Sequence, residues 1–308
     1  MDYKHIPVLE KEIAIIFEKV LTPKSIYVDA TVGGGGHLVH ALNLGINAIA
    51  FDQDQDSIKH LSEKLATQGF KLDDKQTDFS KFIKDSQYVY LVNSNFVNLD
   101  TYLAKFQIKE VSCILFDLGM SSYHIDSSGR GFSFMRNEVL DMRMDKNLQV
   151  TAMDLVNGLG VKELTFLFKK LGEERFSKQI ASEIVKTRKL KKITTAEELR
   201  GIAERMNKSA NNKIHPATRI FQALRIAVND EINSFQIVLP KAASVISKKG
   251  VILCITFHSL EEKVLKDFIL KRSDLDIIGK VITPSLAEVR KNRRSRSAKL
   301  FILGKNEK

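Results

Sequence analysis

The sequence has no apolar run approaching the roughly 20 residues a membrane-spanning helix needs, so no membrane partner is expected. Its first residues, Met1-Asp2-Tyr3-Lys4-His5, lack the layout of a secretory signal. It has only two cysteines, Cys113 and Cys254, each inside an apolar run. They read as small buried hydrophobes and not as a disulfide or a metal pair. The histidines, from His5 to His258, are scattered without zinc spacing, so no metal is expected. Repeats and low-complexity linkers are absent. What remains is a chain for a reducing cytoplasm. Its 308 residues are enough for one large domain or two modest ones.

Basic charge is plentiful. The formal net charge is +11, from 48 Lys and Arg against 37 Asp and Glu. Lys186, Arg188, Lys189, Lys191 and Lys192 form one cluster, and Arg290, Lys291, Arg293, Arg294, Arg296 and Lys299 form another. A lysine-rich surface alone decides little. The arginine-dense second cluster favours a polyanion, because arginine makes forked contacts with phosphate.

The first part alternates strand-like and helical patterns. Residues 25–31 (SIYVDAT), 47–51 (NAIAF), 88–92 (YVYLV) and 111–116 (VSCILF) read as strands, and 38–44 and 57–65 as helices. Residues 67–87 are polar and weakly periodic, and read as a surface insertion. From about residue 142 strand signals fade, and 161–170, 177–186 and 196–207 read as helices. Alternation resumes with a long helix over 216–235, a buried strand over 250–257 and a helix over 260–269. The pattern predicts an α/β fold with a doubly wound parallel sheet, interrupted by an all-helical insertion. The expected division is a core first part at 1–125, a helical substrate-recognition domain at 126–214, and a core second part at 215–308 ending in a basic tail.

Asp29-Ala30-Thr31-Val32-Gly33-Gly34-Gly35-Gly36-His37 follows the first strand and opens a helix. Glycines there let backbone approach a ligand, and the helix start offers free N–H groups. A dinucleotide fingerprint needs a third glycine, and Leu38 stands in its place. Asp29 would put a carboxylate beside a pyrophosphate, which disfavours NAD and suits a cationic ligand. The second strand ends at Asp52-Gln53-Asp54, about 20 residues on, where an acid can accept bonds from ribose hydroxyls. Asp52 is the better placed of the two. The structural alternative is a tight turn and a helix cap. Together the features point to an adenosine-containing cofactor.

Asp117-Leu118-Gly119-Met120-Ser121-Ser122 follows the fourth strand, at the end of the sheet where chemistry sits in such folds. Arg130-Gly131-Phe132-Ser133-Phe134 and Leu140-Asp141-Met142-Arg143-Met144-Asp145 mix aromatic, charged and thioether groups. They read either as a substrate surface where aromatics stack on bases or as a packed hinge. Arg219 and Arg225 read either as RNA contacts or as members of a structural ion pair.

These motifs occur in one order along nearly the whole chain, with His5-Ile6-Pro7-Val8-Leu9, Gly172-Glu173-Glu174-Arg175, His215-Pro216-Ala217-Thr218-Arg219, residues 221–226 with Asn229, Phe257-His258-Ser259-Leu260-Glu261 and residues 292–298. In this the chain resembles the RsmH, or MraW, family. Those bacterial enzymes methylate the exocyclic amino nitrogen (N4) of a cytidine in the decoding region of 16S ribosomal RNA. The resemblance implies a Rossmann-like methyltransferase core and S-adenosylmethionine as cofactor. It places cofactor contacts at Gly34, Gly35, Gly36, His37, Asp52, Phe96, Asp117 and His124. His124 stands where glutamine is usual, and an imidazole cannot bond as an amide does. Other departures are Glu10 for leucine and Glu262-Lys263 for Asp-Arg. The implied partner is small-subunit ribosomal RNA within the assembled or nearly assembled 30S subunit, and a homodimer is compatible with it.

A cytidine amine is a weak nucleophile, so an acceptor for its proton is expected nearby. Many amino-methylating enzymes use an Asp/Asn-Pro-Pro-Tyr/Phe element after the fourth strand; Asp117-Leu118-Gly119 replaces it here. Asp117, Ser121 and Ser122 are therefore the first catalytic candidates, with Asp141 and His258 second. His258 reads equally as a helix cap. The rival readings are a nicotinamide-dependent oxidoreductase and a non-catalytic RNA-binding or ribosome-assembly protein.

Overall fold

The structure, a computed structural model, describes residues 7–206 and 215–306, except the side chain of Ser122. Along the chain the strands are β1 (Ile26–Asp29), β2 (Asn47–Asp52), β3 (Lys71–Lys75), β4 (Phe79–Lys84), β5 (Gln87–Asn93), β6 (Val111–Asp117), β7 (Ile246–Thr256), β8 (Leu275–Ile277) and β9 (Lys299–Lys305). The helices are α1 (Glu10–Val20), α2 (Gly36–Asn43), α3 (Gln55–Thr67), α4 (Leu99–Lys105), α5 (Ser122–Asp126), α6 (Ala152–Gly158), α7 (Val161–Leu171), α8 (Ser177–Arg188), α9 (Ala196–Met206), α10 (Pro216–Asn229), α11 (Glu231–Val245), α12 (Ser259–Leu270) and α13 (Leu286–Lys291). None of the described helices is long and apolar enough to cross a membrane.

The strands form one sheet in the order β3-β4-β5-β2-β1-β6-β7-β9-β8. Its centre, β5-β2-β1-β6-β7, is parallel, as the strand–helix alternation predicts. Both faces are covered, which explains the nearly unbroken apolar runs in these strands. Alternate residues serve opposite faces. Tyr27, Ala48, Ala50, Cys113 and Leu115 meet α1, α2 and α3 on one side. Val28, Ile49, Phe51, Ile114 and Phe116 meet α4, α11 and α12 on the other. Both cysteines are free and buried in these layers.

Strand order reverses at β1 and β6. Successive strands after β1 are laid down on one side, then β6 and β7 on the other. The loops leaving β1 and β6 therefore part, and a crevice opens at their carboxyl ends, where open α/β sheets bind ligands.

Three expectations change. Residues 67–87 are not an appended surface loop: β3 and β4 form a hairpin that adds antiparallel strands beside β5. Phe79 and Phe82 are buried, but β3 is a charged, exposed edge strand, so the segment carries no clear period. The C-terminal basic tail is also no tail. Residues 299–305 form β9, which pairs with β7 on one side and β8 on the other, and the arginines before it form the end of α13 and a 3-10 turn. The long helix over 216–235 is two helices, because Asp230 turns left-handed at φ 50° between α10 and α11.

The chain divides into two compact units, residues 1–121 with 232–308, and residues 122–231. The second unit thus extends past the expected 126–214. Helix α10 packs on α7 and α9 through Ile220, Phe221 and Leu224, so it belongs to the helical unit. The expected helix end at Asn207 lies outside the described residues.

Within the second unit Arg225 is an ion-pair member. Its Nε and Nη2 donate to the Glu231 carboxylate at 2.8 and 2.9 Å, with both side chains largely buried. Removing one partner of such a pair strands a buried charge, at a cost of about 3–5 kcal/mol, whereas a matched apolar pair is often neutral. Arg225→Ala should therefore lower unfolding free energy by about that amount in denaturant titration, and Arg225→Met with Glu231→Leu should recover most of it. Equal losses in the single and double variants would contradict the buried pair.

Candidate active site

The glycine loop is laced to three strands. Ala30 N–H donates to the Leu115 carbonyl on β6 and Val32 N–H to the Phe51 carbonyl on β2, both at 2.9 Å. Gly33 N–H donates to Asp52 Oδ2 at 3.0 Å. Gly33 and Gly35 sit at φ +47° and +72°, where a side chain is strained. A β-carbon on Gly35 would lie 2.3 Å from Leu61, and one on Gly36 would lie 2.1 Å from Pro7. These two glycines thus serve close packing of protein on protein as well as the shape of the loop. Lys64, half-buried on α3, donates to the Gly34 carbonyl at 2.9 Å, and burial lowers its pKa.

The loop after β6 faces the glycine loop. A β-carbon on Gly33 would stand 3.3 Å from the Ser121 Cβ. The Asp117 amide donates to Thr31 Oγ1 at 2.7 Å, which ties the two loops at their roots. Asp117 Oδ2 lies 4.0 Å from His37 Nε2. Its Oδ1 has no hydrogen-bond partner among the described residues. Burial, then the charges of Asp29 and Glu261, push the Asp117 pKa well above the usual carboxylate range.

Asp52 ends β2, and its Oδ1 accepts the Asp54 amide at 2.8 Å. Asp54 is fully buried and caps α3 by accepting the Asp56 amide, so of the two acids it is Asp52 that reaches the loop. Phe96 follows β5 with its ring edge-on to Phe116 at 5.7 Å. Gly34, Gly35, Gly36, His37, Asp52, Phe96, Asp117 and Ser121 thus gather at the carboxyl ends of β1, β2, β5 and β6.

Asp29 is placed differently from the expectation. It is a buried acid beneath the loop, with Oδ2 accepting the Tyr27 hydroxyl at 2.9 Å and Oδ1 the Thr31 amide at 3.3 Å. It is joined to the loop through the Thr31 amide. Burial raises its pKa to about 7, against the two hydrogen bonds that lower it.

His258 lies two residues beyond β7, at the N-cap of α12. Its Nε2 lies 3.1 Å from Glu261 Oε1, while Glu261 Oε2 accepts the Phe257 and His258 amides at 2.7 and 3.2 Å. His258 thus holds the cap position by its backbone, while neither ring nitrogen has a hydrogen-bond partner among the described residues. Ser122 opens α5, and its side chain lies outside the described residues.

His124 and Asp141 belong to the second unit. His124 is buried with its ring 4.9 Å from Phe132. Asp141 is clamped by Arg143 Nε and Nη2 at 2.7 and 2.8 Å and by the Arg143 amide, and these bonds hold its pKa low against desolvation. A carboxylate so committed is a poor proton acceptor, which makes Asp141 a weaker catalytic candidate than Asp117. The aromatics of residues 130–134 are also packed and not presented. Phe132 is buried, and Phe134 stacks on His215 at 4.6 Å and meets Phe221 edge-on.

Sequence reading missed Thr31, Lys64 and Glu261. Thr31 and Lys64 act across 86 and 30 residues, and no local pattern signals such contacts. Glu261, three residues after the cap, fits a capping-box spacing that could have been found. The described residues hold no cluster of three metal-ligating side chains.

The buried acid has a pH signature. The folded-state pKa of Asp29, about 7, lies above its ordinary 3.8, so the folded chain keeps a proton that the unfolded chain releases. That contribution is full below about pH 4 and is lost as pH rises to about 7. Relative to Asp29→Asn, the wild type should lose unfolding free energy across that window in chemical denaturation. A difference that stays flat from pH 4 to 7 would place Asp29 in water.

Residues 2–306 match the family model described as the MraW methylase family. A ribosomal RNA small subunit methyltransferase H from Sulfurihydrogenibium is 41% identical over 307 residues, 97% of this chain and 98% of its own length. The protein of the same name from Dictyoglomus thermophilum is 40% identical over 304 residues, 97% of this chain and 95% of its own. Among solved structures, an rRNA methylase from Streptococcus thermophilus aligns over 97% of this chain and 94% of its own, at 12% identity and a TM-score of 0.43. With a family model spanning nearly its full length and relatives at this level of identity, the chain belongs to the MraW methylase family.

Proposed function

We propose that this chain transfers a methyl group from S-adenosylmethionine to N4 of a cytidine in the decoding region of 16S ribosomal RNA, within the assembled or nearly assembled 30S subunit of the cytoplasm. The observation that carries the reading is the pair Asp52 and Asp117. They stand on the glycine loop's two sides at the strand-order reversal, with one Asp117 oxygen uncommitted among the described residues. Names of the relatives supply the class of RNA.

The site fits the cofactor by its charge. Asp29, Asp52, Asp117 and Glu261 gather carboxyl groups around the loop, where burial first and their mutual repulsion second raise the pKa of Asp29 and Asp117. Such a site disfavours a pyrophosphate and suits a ligand with an ammonium and a sulfonium. S-adenosylmethionine, when bound, supplies the methyl group activated by that sulfonium. Gly34, Gly35, Gly36 and His37 would hold it by backbone and imidazole, Asp52 by its carboxylate on the ribose hydroxyls, and Phe96 by its ring. His124 remains the proposed counterpart of the usual glutamine, from the second unit.

The chain's own part in the reaction is positioning and proton handling. Methyl transfer needs the amine, the carbon and the leaving atom in line, so orientation carries much of the rate. Asp117 is proposed to accept an N–H of the amine, which returns electron density to nitrogen and then takes the proton. The Asp117 carboxylate, whose pKa burial raises, can be ionised to accept because the ammonium and sulfonium of the bound cofactor would offset that burial. Ser121, on the facing loop, is proposed to orient the base, with Ser122 beside it. The target must leave its stack, costing on the order of a few kcal/mol unless already unstacked.

Labelled cofactor incubated with small ribosomal subunits tests the reading. Label should appear in the 16S RNA as N4-methylcytidine; a chain that binds subunits without labelling them would be an assembly factor instead. Asp117→Asn should lower turnover at saturating cofactor by about 10²-fold or more. Cofactor affinity, titrated separately, should fall as well. If both stay at wild-type values, the role given to Asp117 is wrong.

A further inference from the structure

We propose that an open groove on the helical unit, beside α7, is a docking site for an unpaired RNA base. This rests on the RNA substrate proposed above and adds a place of contact to it. The groove has a volume of about 490 Å³ and is lined by Leu159, Lys162, Glu163, Phe166, Leu167 and Leu171. That volume lies within the roughly 300–1,000 Å³ of sites that take small planar ligands.

Its occupant is argued from the groove's composition and charge. Phe166 is 64% exposed, although a phenyl ring at the surface forfeits its burial. At 100° per residue, Lys162, Phe166 and Lys169 fall within one narrow stripe of α7, and both lysines are exposed. An aromatic ring with a lysine on either side along one helical face offers a stacking surface for a base and cations for its neighbouring phosphates. Every base has a face that can stack on such a ring, and each phosphate can meet a lysine. The one acid lining the groove is already engaged: Glu163 Oε2 accepts the Gly160 amide at 2.6 Å, at the start of α7.

The surroundings strengthen the charge argument. Helices α7 and α8 pack together and are joined by a short link, so they run antiparallel. The end of α8 therefore returns to the start of α7. Arg188, at that end, donates to the Val156 carbonyl of α6 at 2.6 Å, three residues before the groove residue Leu159. That end carries the exposed Lys186, Lys189 and Lys192. With Lys162 lining the groove and Lys169 on the same stripe of α7, the charge beside Phe166 is basic, which favours a polyanion over an apolar protein segment.

Equilibrium binding of the full chain to labelled oligouridylate and to duplex RNA of equal length, over a range of salt, tests this. Phe166→Ala should weaken oligouridylate binding about tenfold or more and leave duplex binding unchanged. Phe166→Tyr should keep wild-type affinity. Lys162→Gln should reduce the slope of log affinity against log salt by about 0.7. Thermal melts matching wild type would show that the variants fold. Binding of S-adenosylmethionine by calorimetry, which should be equal in all variants, reads the donor site. Failure of the proposed methyl transfer would therefore appear there or in the labelling assay, and not in the RNA titration. Unchanged oligouridylate affinity in Phe166→Ala overturns the proposal. So does weaker binding to assembled subunits with unchanged binding to protein-free RNA, which assigns the groove to a protein. A lower sedimentation mass of Phe166→Ala than of the wild type also overturns it, by assigning the groove to a second copy of the chain.

Discussion

The bond from the Asp117 amide to the Thr31 hydroxyl, 2.7 Å long, is the joint on which the site depends. Strands β1 and β6 are neighbours, but the chain leaves them in diverging directions because the strand order reverses there. Divergence opens the crevice; Thr31 stops it opening at its root. Thr31 is itself held by Asp29, and Asp29 by the Tyr27 hydroxyl. A column of polar contacts thus runs from the buried face of β1 up to the carboxylate proposed to do the chemistry. The cost is negative charge held in a poorly solvated place, which raises both Asp29 and Asp117. A cationic ligand relieves that cost. The same charge would oppose an anionic one.

Most of the sheet was legible because its signal is local. Parallel strands buried on both faces must be apolar throughout, and β1, β2, β5, β6 and β7 all announce themselves that way. The acids that end β2 and β6 were legible for the same reason: each is the first polar residue beyond an apolar run. Edge strands give no such signal. β3 is nearly all charged, and β9 lies behind an arginine cluster that reads as a tail. The break at Asp230 was hidden because both flanking segments are helical, and a single left-handed residue leaves no mark in the apolar period. Contacts between distant residues, such as Lys64 with Gly34, depend on the fold and not on spacing.

The second unit shows how composition misleads when packing decides. The motif residues 130–145 look like a recognition loop, with arginine, phenylalanine and methionine in irregular order. They are instead the unit's own framework. Arg130 Nη1 is spent on the Arg143 and Met144 carbonyls, and Asn229 takes the Met144 amide at 2.7 Å while donating to the Met142 carbonyl at 2.8 Å. Met142 and Met144 are buried, as is Phe132. An irregular backbone can be buried only if its polar groups find partners, and these side chains provide them. The exposed Phe166, by contrast, lies on a regular helix, off the face of Leu164, Leu167 and Phe168 that is buried.

Three acids, the sequence candidates Asp117 and Asp141 and the Glu261 that the structure adds, are separated by their partners. Asp141 gives both oxygens to Arg143, which keeps it ionised and weakly basic. Glu261 spends one oxygen on two backbone amides that start α12 and the other on His258. Each has a structural task that protonation would disrupt. Asp117 is anchored through its backbone, by Thr31 on its amide, so its carboxylate can change charge without releasing the loop. Its side chain alone combines a raised pKa with an oxygen that no described residue engages. A group that must take a proton and give it up again in each turnover needs that independence from the scaffold. This is why the proposed chemistry falls to Asp117, although the element after β6 lacks the proline pair that usually marks it.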